Sequence, residues 1–171
     1  MNLKSYIRDI PDFPKKGVSY KDITPLLLDH NAMQLAVKLF INNLPHGNID
    51  KVVGIESRGF FFATLLADKL KAGFIPVRKP GKLPYSIYTE NYDLEYGSDT
   101  LEIHKDAIKE GEKVLLHDDV LATGGTAAAT CRLIEKCGGE IVQCNFLVEL
   151  EFLKGADKLN NYEVSSLIKY S

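Results

Sequence analysis

The sequence predicts an α/β fold in which a mostly parallel central sheet is flanked by helices on both faces. Short apolar runs, typical of buried strands, alternate along the chain with segments that repeat apolar residues at helical spacing. A glycine-rich turn joins one of these strands to one of these helices. With 171 residues, 45% of them hydrophobic, the chain is expected to form one domain, residues 1–171.

Each element follows from the local pattern of apolar residues. Strands are predicted at residues 51–55, 74–78, 113–116 and 141–150. The helices that alternate with them are predicted at residues 31–44, 60–71 and 126–137. In sheets of this kind, ligands bind beyond the carboxyl ends of the strands. The loops that follow the strands are therefore where the functional residues are expected.

Composition and charge argue against several classes of partner. The net charge is -2 and the lysines are scattered, so no basic surface for nucleic acid is predicted. The amino terminus lacks the apolar segment of a signal peptide, and no run approaches the length needed to cross a bilayer. A cytoplasmic protein without membrane partners is expected.

The cysteines and histidines do not form a metal-binding pattern. Cys131, Cys137 and Cys144 lack CxxC spacing, and two of them lie on one predicted helix, so buried thiols are expected. The four histidines have no spacing typical of a zinc site. His117 directly precedes two aspartates, and we interpret it as a structural histidine at the end of a strand.

The stretch "HDDVLATGGT" places two carboxylates before a glycine-rich turn. Gly124 and Gly125 let the backbone approach a ligand, and Thr126 is expected to cap the helix, whose first amides would bind a phosphate. An ordinary strand-to-helix connection would use the same residue types. A Walker-type nucleotide loop is excluded, because its lysine is absent.

The aspartates imply that the ligand has two chemically different parts. Asp118 and Asp119 would repel a bare phosphate, because like charges in contact near a protein surface cost about 4 kcal/mol. One part must therefore be anionic and lie on the glycine turn. The other must present hydroxyl groups or a divalent cation to the carboxylates, and a phosphorylated sugar fits both requirements.

Two further segments are candidates for the same site. In "GIESRGF", Ser57 and Arg58 follow a predicted strand and could bind a second anion, although a loop arginine is also commonly found in a surface ion pair. Residues 79–100 form a long connection with a basic start and an acidic end, which predicts a lid or a surface hairpin. Within and just after it, residues 85–89 and 101–104 alternate like strands.

These motifs together resemble a known family. "VLLHDDVLATGGTAAA" resembles the signature with which type I phosphoribosyltransferases bind 5-phospho-α-D-ribose 1-diphosphate (PRPP). The blocks "DFPKKGVSYKDITPLL", "GIESRGF", "VRKPGKLP", "LEYG", "LEIHKDAI" and "LVELEFLKG" resemble the adenine-specific branch of that family and span nearly the whole chain. The resemblance implies a Rossmann-like fold with an amino-terminal hood, residues 1–30, and a flexible catalytic lid, residues 79–100. It also implies formation of AMP and pyrophosphate from adenine and PRPP.

The resemblance assigns roles to residues that match the motifs of the family. The 5-phosphate of PRPP would bind to Ala122, Thr123, Gly124, Gly125 and Thr126. The pyrophosphate would bind to Ser57, Arg58, Gly59, Arg78, Lys79 and Lys82. Asp118 and Asp119 would face the ribose hydroxyls, and Glu95 of the lid would approach the N9 side of adenine as an acid or base. Mg²⁺ would be carried by PRPP, and the family implies a homodimer.

The adenine site is implied at the hood. Its matching residues are Val18, Ser19, Tyr20, Lys21 and, on the opposite face of the base, Leu150. Three positions depart from the family: Ser19 is often aliphatic there, Lys21 is often arginine, and His117 is often valine. Two alternatives remain open, a phosphoribosyltransferase for a 6-oxopurine read by Lys21 and a PRPP-binding regulator without turnover.

Overall fold

The computed structural model describes residues 2–93 and 97–171. The chain divides into two compact units. The first ends at Asn42 and the second comprises Asn43–Ser171.

The first unit contains a strand pair and two helices. Its elements are a 3-10 helix at Leu3–Tyr6, β1 at Arg8–Ile10, β2 at Tyr20–Asp22, α1 at Thr24–Leu28 and α2 at His30–Asn42. β1 and β2 pair antiparallel, with Arg8 opposite Asp22. The buried residues of α2 recur at helical spacing, which is why the apolar pattern predicted this helix.

The second unit is built on five parallel strands, as the sequence predicted. The strands are β3 at Lys51–Ile55, β4 at Gly73–Val77, β7 at Lys113–Leu121, β8 at Glu140–Leu150 and β9 at Val164–Tyr170. Their order in the sheet is β4-β3-β7-β8-β9. β7 extends five residues beyond its predicted end at residue 116, because the two aspartates continue the strand. β9 was not predicted, since it pairs only at the edge of the sheet and has many polar residues.

Two helices cover opposite faces of the sheet. α3 is Gly59–Leu70 and α4 is Gly125–Lys136, and short 3-10 helices follow β8 at Glu151–Leu153 and Gly155–Leu159. The ring of Phe62 in α3 contacts the His117 ring edge-on, with centroids 6.1 Å apart. Leu116, which points the other way, is buried in the cluster that contains the apolar side of α4.

The long connection contains an antiparallel hairpin. β5 is Ile87–Asp93 and β6 is Ser98–His104. Leu101 and Ile103 are fully buried in the cluster that α4 also lines. The hairpin is tied to the end of β4, because Arg78 and Glu102 exchange two backbone hydrogen bonds of 3.0 and 2.8 Å. The stem of the predicted lid is therefore part of the core.

The three cysteines are free thiols, and two of them are buried as predicted. Cys131 and Cys144 are buried free thiols with their sulfur atoms 3.7 Å apart, and Cys137 is half-buried. Their mutual hydrogen bond, together with burial, raises the pKa of Cys131. Among residues 2–93 and 97–171, no helix has the length and apolar character required to cross a bilayer.

Candidate active site

The order of the strands creates a crevice at the carboxyl ends of β3 and β7, where the loops that follow these two strands lie. From β3 the chain passes to the β4 edge, whereas β7 lies on the other side of β3 and leads to β8 and β9. Ligands bind at such a switch point, beyond the carboxyl ends of the two neighbouring strands. The segment 56–59 follows β3 and the segment 122–126 follows β7. Both predicted anion loops therefore open into one crevice.

The glycine turn after β7, residues 122–126, lines a small cavity. Gly124 has φ 78° and is the N-cap of α4, which begins at Gly125. A Cβ on Gly124 would lie 2.2 Å from the carbonyl oxygen of Gly155, so only glycine fits this conformation and this packing. The cavity of about 80 Å³ has room for several waters, since roughly 10–15 Å³ suffices for one. Its lining residues are Asp118, Val120, Leu121, Ala122, Thr123, Gly124, Thr126 and Ala127.

Two details of the turn differ from the prediction. Thr126 is not the cap of α4, because the helix starts one residue earlier and its N-cap makes no side-chain hydrogen bond. The two glycines also have different roles. The positive φ belongs to Gly124, whereas a Cβ on Gly125 would approach the Asp93 carbonyl oxygen at 3.3 Å and the Tyr92 ring at 3.4 Å. Gly125 therefore allows close packing of α4 against the hairpin.

The acidic pair lies within β7, and its two members have different environments. Asp119 is 5% exposed, and its Oδ2 lies 2.7 Å from Nε of Arg58. Asp118 is partly exposed, lines the cavity and accepts a 2.9 Å hydrogen bond from the amide of Asp119. Burial raises the pKa of both carboxyl groups. The negative charge of Asp119 raises the pKa of Asp118 further, and Arg58 opposes the rise at Asp119.

The loop after β3 reaches the acidic pair through close packing. A Cβ on Gly59 would lie 2.7 Å from Oδ1 of Asp118, so glycine is required for α3 to start against β7. Arg58, for which a surface ion pair was an alternative, instead pairs with a buried carboxylate. Ser57 precedes it in the turn after β3 and is exposed. The structure thus brings Arg58 and Gly59 together with both aspartates.

The basic segment, residues 78–82, is held by carboxylates that sequence reasoning did not identify. Oε2 of Glu56 accepts a 2.9 Å hydrogen bond from the amide of Lys79 and lies 3.3 Å from Nε of Arg78. Oε1 of Glu56 pairs with the ammonium of Lys82. Burial alone would raise the pKa of Glu56, but these donors and positive charges lower it.

The hairpin supplies two more carboxylates to the basic segment. The amide of Gly81 donates a 3.1 Å hydrogen bond to Oε2 of Glu102. The ammonium of Lys79 pairs with Asp99 and lies 2.9 Å from the hydroxyl of Tyr92. The position of Glu56 in the "GIESRGF" block, directly after a predicted strand, was a signal that could have identified it as a site residue. Nothing in the local sequence distinguished Asp99.

A buried polar pair lies beneath the acidic residues. Nδ1 of His117 is 2.7 Å from Oδ1 of Asn145 on the neighbouring strand β8. Burial lowers the pKa of His117 to about 4, although the hydrogen bond to Asn145 opposes this shift. The histidine is therefore neutral at physiological pH and lies within the strand, which extends beyond it. Its interpretation as a structural residue is consistent with complete burial.

The residues predicted to bind adenine lie in both units. Tyr20 and Lys21 belong to β2, and the Tyr20 ring packs edge-on against Phe13 with centroids 5.1 Å apart. The ammonium of Lys21 pairs with Asp9 and lies 3.4 Å from Oγ of Ser19. In the same segment, the carbonyl of Val18 accepts a hydrogen bond from Phe13.

The last two predicted residues differ in what the structure describes of them. Leu150 ends β8 in the second unit and is nearly buried. Glu95 lies outside the described residues. Within residues 2–93 and 97–171, no group of three His, Cys, Asp or Glu side chains is arranged to hold a metal ion.

Comparison with known proteins gives a consistent result. Residues 20–169 match the phosphoribosyl transferase domain. The chain is 84% identical, over the full length of both proteins, to an adenine phosphoribosyltransferase of Christiangramia forsetii. It is 61% identical to that of Flavobacterium johnsoniae, over 99% of this chain and 100% of the relative.

Solved structures agree with this relationship. The adenine phosphoribosyltransferase of Thermoanaerobacter pseudethanolicus superposes with a TM-score of 0.96 at 49% identity, covering 98% of each chain. The yeast enzyme, in complex with adenine and D-2,5-dideoxy-2,5-imino-altritol 1,6-bisphosphate, has a TM-score of 0.93 at 43% identity, covering 96% of each chain.

Proposed function

The chain belongs to the adenine phosphoribosyltransferase family, and we propose that its crevice is where adenine and PRPP are converted to AMP and pyrophosphate. The assignment of residues to this reaction rests on one arrangement of groups. A cavity of about 80 Å³, an ion pair between Arg58 and the buried Asp119, and the partly exposed Asp118 meet at the switch point between β3 and β7. A phosphorylated sugar has the two chemically different parts that this arrangement requires.

Each end of PRPP has a matching set of groups. The 5-phosphate would occupy the cavity of residues 122–126, where the first amides of α4 favour an anion. The carboxylates of Asp118 and Asp119 would accept hydrogen bonds from the ribose hydroxyls. The pyrophosphate would lie on the segment 57–59 and meet the cations of the basic segment. Those cations are Arg78, Lys79 and Lys82.

The reaction exchanges one bond at the anomeric carbon. The N9–C1 bond forms, the bond from C1 to the pyrophosphate oxygen breaks, and adenine loses its N9 proton. Positive charge develops on the sugar as pyrophosphate leaves, and the carboxylates of Asp118 and Asp119 would stabilise it. Glu95 is proposed to accept the N9 proton or to polarise the ring.

Magnesium fits the donor set as an ion that arrives with the substrate. Mg²⁺ prefers oxygen ligands and is commonly bound through one or two carboxylates together with substrate phosphates. Asp118 offers such an oxygen at the cavity, whereas Asp119 is engaged by Arg58. When bound, the ion would neutralise charge on the leaving pyrophosphate.

A panel of purine bases tests the assignment. With PRPP and Mg²⁺, adenine should release pyrophosphate, and hypoxanthine, guanine and xanthine should not. Lys21, the candidate reader of a 6-oxo group, is held by Asp9, which disfavours that alternative. Comparable release with hypoxanthine would contradict the adenine assignment, and no release with any base would favour a regulator. Asp118→Asn is the control that should lower release by roughly 10²–10³-fold, if its charge stabilises the transition state.

The role of Glu95 requires a measurement of the chemical step alone. Glu95→Gln should slow single turnover by a factor of roughly ten to ten thousand, the range for a positioned acid or base, while PRPP affinity changes little. Single-turnover kinetics is needed because product release often limits steady-state rates. A single-turnover rate equal to that of the wild-type enzyme would remove Glu95 from the mechanism.

The organisation of the whole protein is part of the proposal. The chain would act as one phosphoribosyltransferase domain, with residues 1–30 as a hood over adenine and residues 79–100 as a catalytic lid. A homodimer is proposed from the family resemblance and from the "GFFFATLL" segment of α3, which has more large apolar residues than one buried stripe requires and in which Phe61 is 47% exposed. Sedimentation at micromolar concentration should give twice the chain mass of 19.1 kDa. Three thiols without disulfides suit the cytoplasm, and no nucleic-acid or membrane partner is proposed.

A further inference from the structure

Lys79 is fastened to the hairpin by two side chains. Its ammonium pairs with Oδ2 of Asp99 and lies 2.9 Å from the hydroxyl of Tyr92, which in turn donates a 3.1 Å hydrogen bond to the same carboxylate oxygen. The ammonium also lies 5.5 Å from the centre of the Tyr92 ring, within cation–π range. Carboxylate, phenol and ammonium thus form a closed triangle.

The triangle lies near the end of the paired part of the hairpin and next to the glycine turn, residues 122–126. Tyr92 and Asp99 are cross-strand partners, and among the residues that the structure describes, one further pair, Asp93 and Ser98, follows them. Tyr92 is 7% exposed, and its ring packs against Gly125, the first residue of α4. A cation expected to bind pyrophosphate is therefore held close to the first residue of α4.

Lys79 and Asp99 form an ion pair in which each group favours the charged form of the other. The hydrogen bond from Lys79 lowers the pKa of Asp99, although burial opposes the shift. Burial alone would lower the pKa of Lys79, but Asp99 and Tyr92 raise it. Both side chains keep partial exposure, 37% for Lys79 and 30% for Asp99, so an anion from solvent can reach the ammonium.

Asp99 differs from the other carboxylate that neutralises the basic segment. Glu56 begins the loop after β3 and also accepts a backbone hydrogen bond, so it fixes the shape of the segment itself. Asp99 contacts only the side chain of Lys79 in this segment, through a pair that can break without altering the backbone. A pyrophosphate at Lys79 would meet the negative charge of Asp99 at close range, where like charges repel.

We propose that Asp99 is a positioning residue that holds Lys79 on the hairpin and yields it to the pyrophosphate end of PRPP. This inference rests on the proposed function, which places pyrophosphate at the basic segment. Asp99 occupies the cation in the ligand-free enzyme, lowers affinity for the anion, and takes the cation back as pyrophosphate leaves.

Removal of the competing charge should therefore tighten anion binding. Asp99→Asn keeps the size and an acceptor oxygen but removes the charge. The Kd of magnesium pyrophosphate and the KM of PRPP should both fall by about two- to fivefold, the range set by a partly exposed ion pair. A merely structural role for Asp99 would loosen the hairpin and weaken binding instead.

Titration calorimetry with magnesium pyrophosphate tests the proposal on the wild type, four variants and one control variant. The wild type is compared with Asp99→Asn, Asp99→Glu, Lys79→Ala and the double variant Lys79→Ala/Asp99→Asn. Asp99→Glu restores the charge and should bind as the wild type does. The double variant should bind as Lys79→Ala does, because Asp99 acts through that ammonium. Glu140→Gln is the control. It removes a carboxylate that pairs with Lys113 outside the hairpin, and the affinity of this variant should be unchanged.

The outcomes separate failure of the inference from failure of the proposed function. If Lys79→Ala leaves pyrophosphate affinity unchanged, the assignment of Lys79 to pyrophosphate is wrong and the inference fails with it. If Lys79→Ala weakens binding but Asp99→Asn does not tighten it, the proposed function stands and the inference is overturned. Tightening that persists without Lys79 also overturns it, because Asp99 would then act as a general repulsive charge.

Discussion

The phosphate turn, residues 122–126, and the basic segment, residues 78–82, are both proposed to bind an anion, but different forces hold them in shape. The phosphate turn depends on backbone geometry: Gly124 has φ 78° and packs against the backbone of Gly155. The basic segment depends on side-chain carboxylates from other parts of the chain. Glu56 gathers three of its donors, and Asp99 holds Lys79.

The difference has a consequence for binding. Amide groups that are already oriented at the phosphate turn meet an anion without losing another charged partner. The cations of the basic segment would have to exchange a carboxylate for pyrophosphate, so part of the favourable interaction would be offset. The shape of the phosphate turn should therefore be disturbed by an added side chain and be little affected by salt. The shape of the basic segment should be weakened by salt and be little affected by an added side chain.

The largest effect is expected from Gly124→Ala. The new Cβ would lie 2.2 Å from the carbonyl oxygen of Gly155, in addition to the cost of a positive φ. We expect the free energy of unfolding to fall by about 2–4 kcal/mol and PRPP binding to be lost. Urea denaturation and PRPP calorimetry would measure both.

Gly81→Ala is the matched control for this prediction. Gly81 of the basic segment has φ 80°, but a Cβ there would meet nothing within 4 Å. Its replacement should cost only the conformational term, about 1 kcal/mol. Equal losses for the two variants would show that packing against Gly155 is unimportant.

The strand beneath the phosphate turn should make stability depend on pH. His117 has a pKa of about 4 in the folded protein, whereas an unfolded histidine has about 6.5. Between these values the unfolded state binds a proton that the folded state does not, so stability falls as pH falls. The loss from this group should reach about 3 kcal/mol by pH 4.

Comparison with His117→Val isolates that contribution. The raised pKa values of Asp118 and Asp119 act in the opposite direction and are shared by both proteins. Wild type should lose more stability than His117→Val between pH 7 and pH 4, measured by urea denaturation. His46→Gln, which changes an exposed histidine, should follow the wild type. Parallel curves for wild type and His117→Val would contradict the prediction.

The smallest effect, and the most dependent on salt, is expected from Glu56→Gln. The variant loses the charge that pairs with Arg78 and Lys82 but keeps an acceptor for the amide of Lys79. The free energy of unfolding should fall by about 1–2 kcal/mol at low salt. This deficit should be smaller in about 0.5 M NaCl, because salt shortens the Debye length and screens the ion pairs. Glu140→Gln, which breaks an exposed pair with Lys113, should change stability by less than about 0.5 kcal/mol. A salt-independent deficit would mean that the charge of Glu56 is not what orders the segment.

The difference between local and long-range interactions also explains which features could be predicted from the sequence alone. The alternation of strands and helices is local and was predicted within a few residues. The end of β7 was wrong because polar aspartates interrupt the apolar run while the backbone continues to pair with β8. β9 was missed because Ser165, Ser166 and Lys169 interrupt its apolar residues, so this edge strand lacks the pattern of a buried one.

By itself, the sequence determined the parallel sheet and the glycine turn after β7, and it predicted a ligand with an anionic and a hydroxyl-bearing part. Those features depend on the apolar period, on glycine and on charges adjacent in the chain. Only the tertiary structure decided that Arg58 pairs with Asp119, Lys82 with Glu56 and Lys79 with Asp99. The last two partners are 26 and 20 residues apart. Ion pairs have no sequence period, because folding of distant segments, not local backbone preference, brings their charges together.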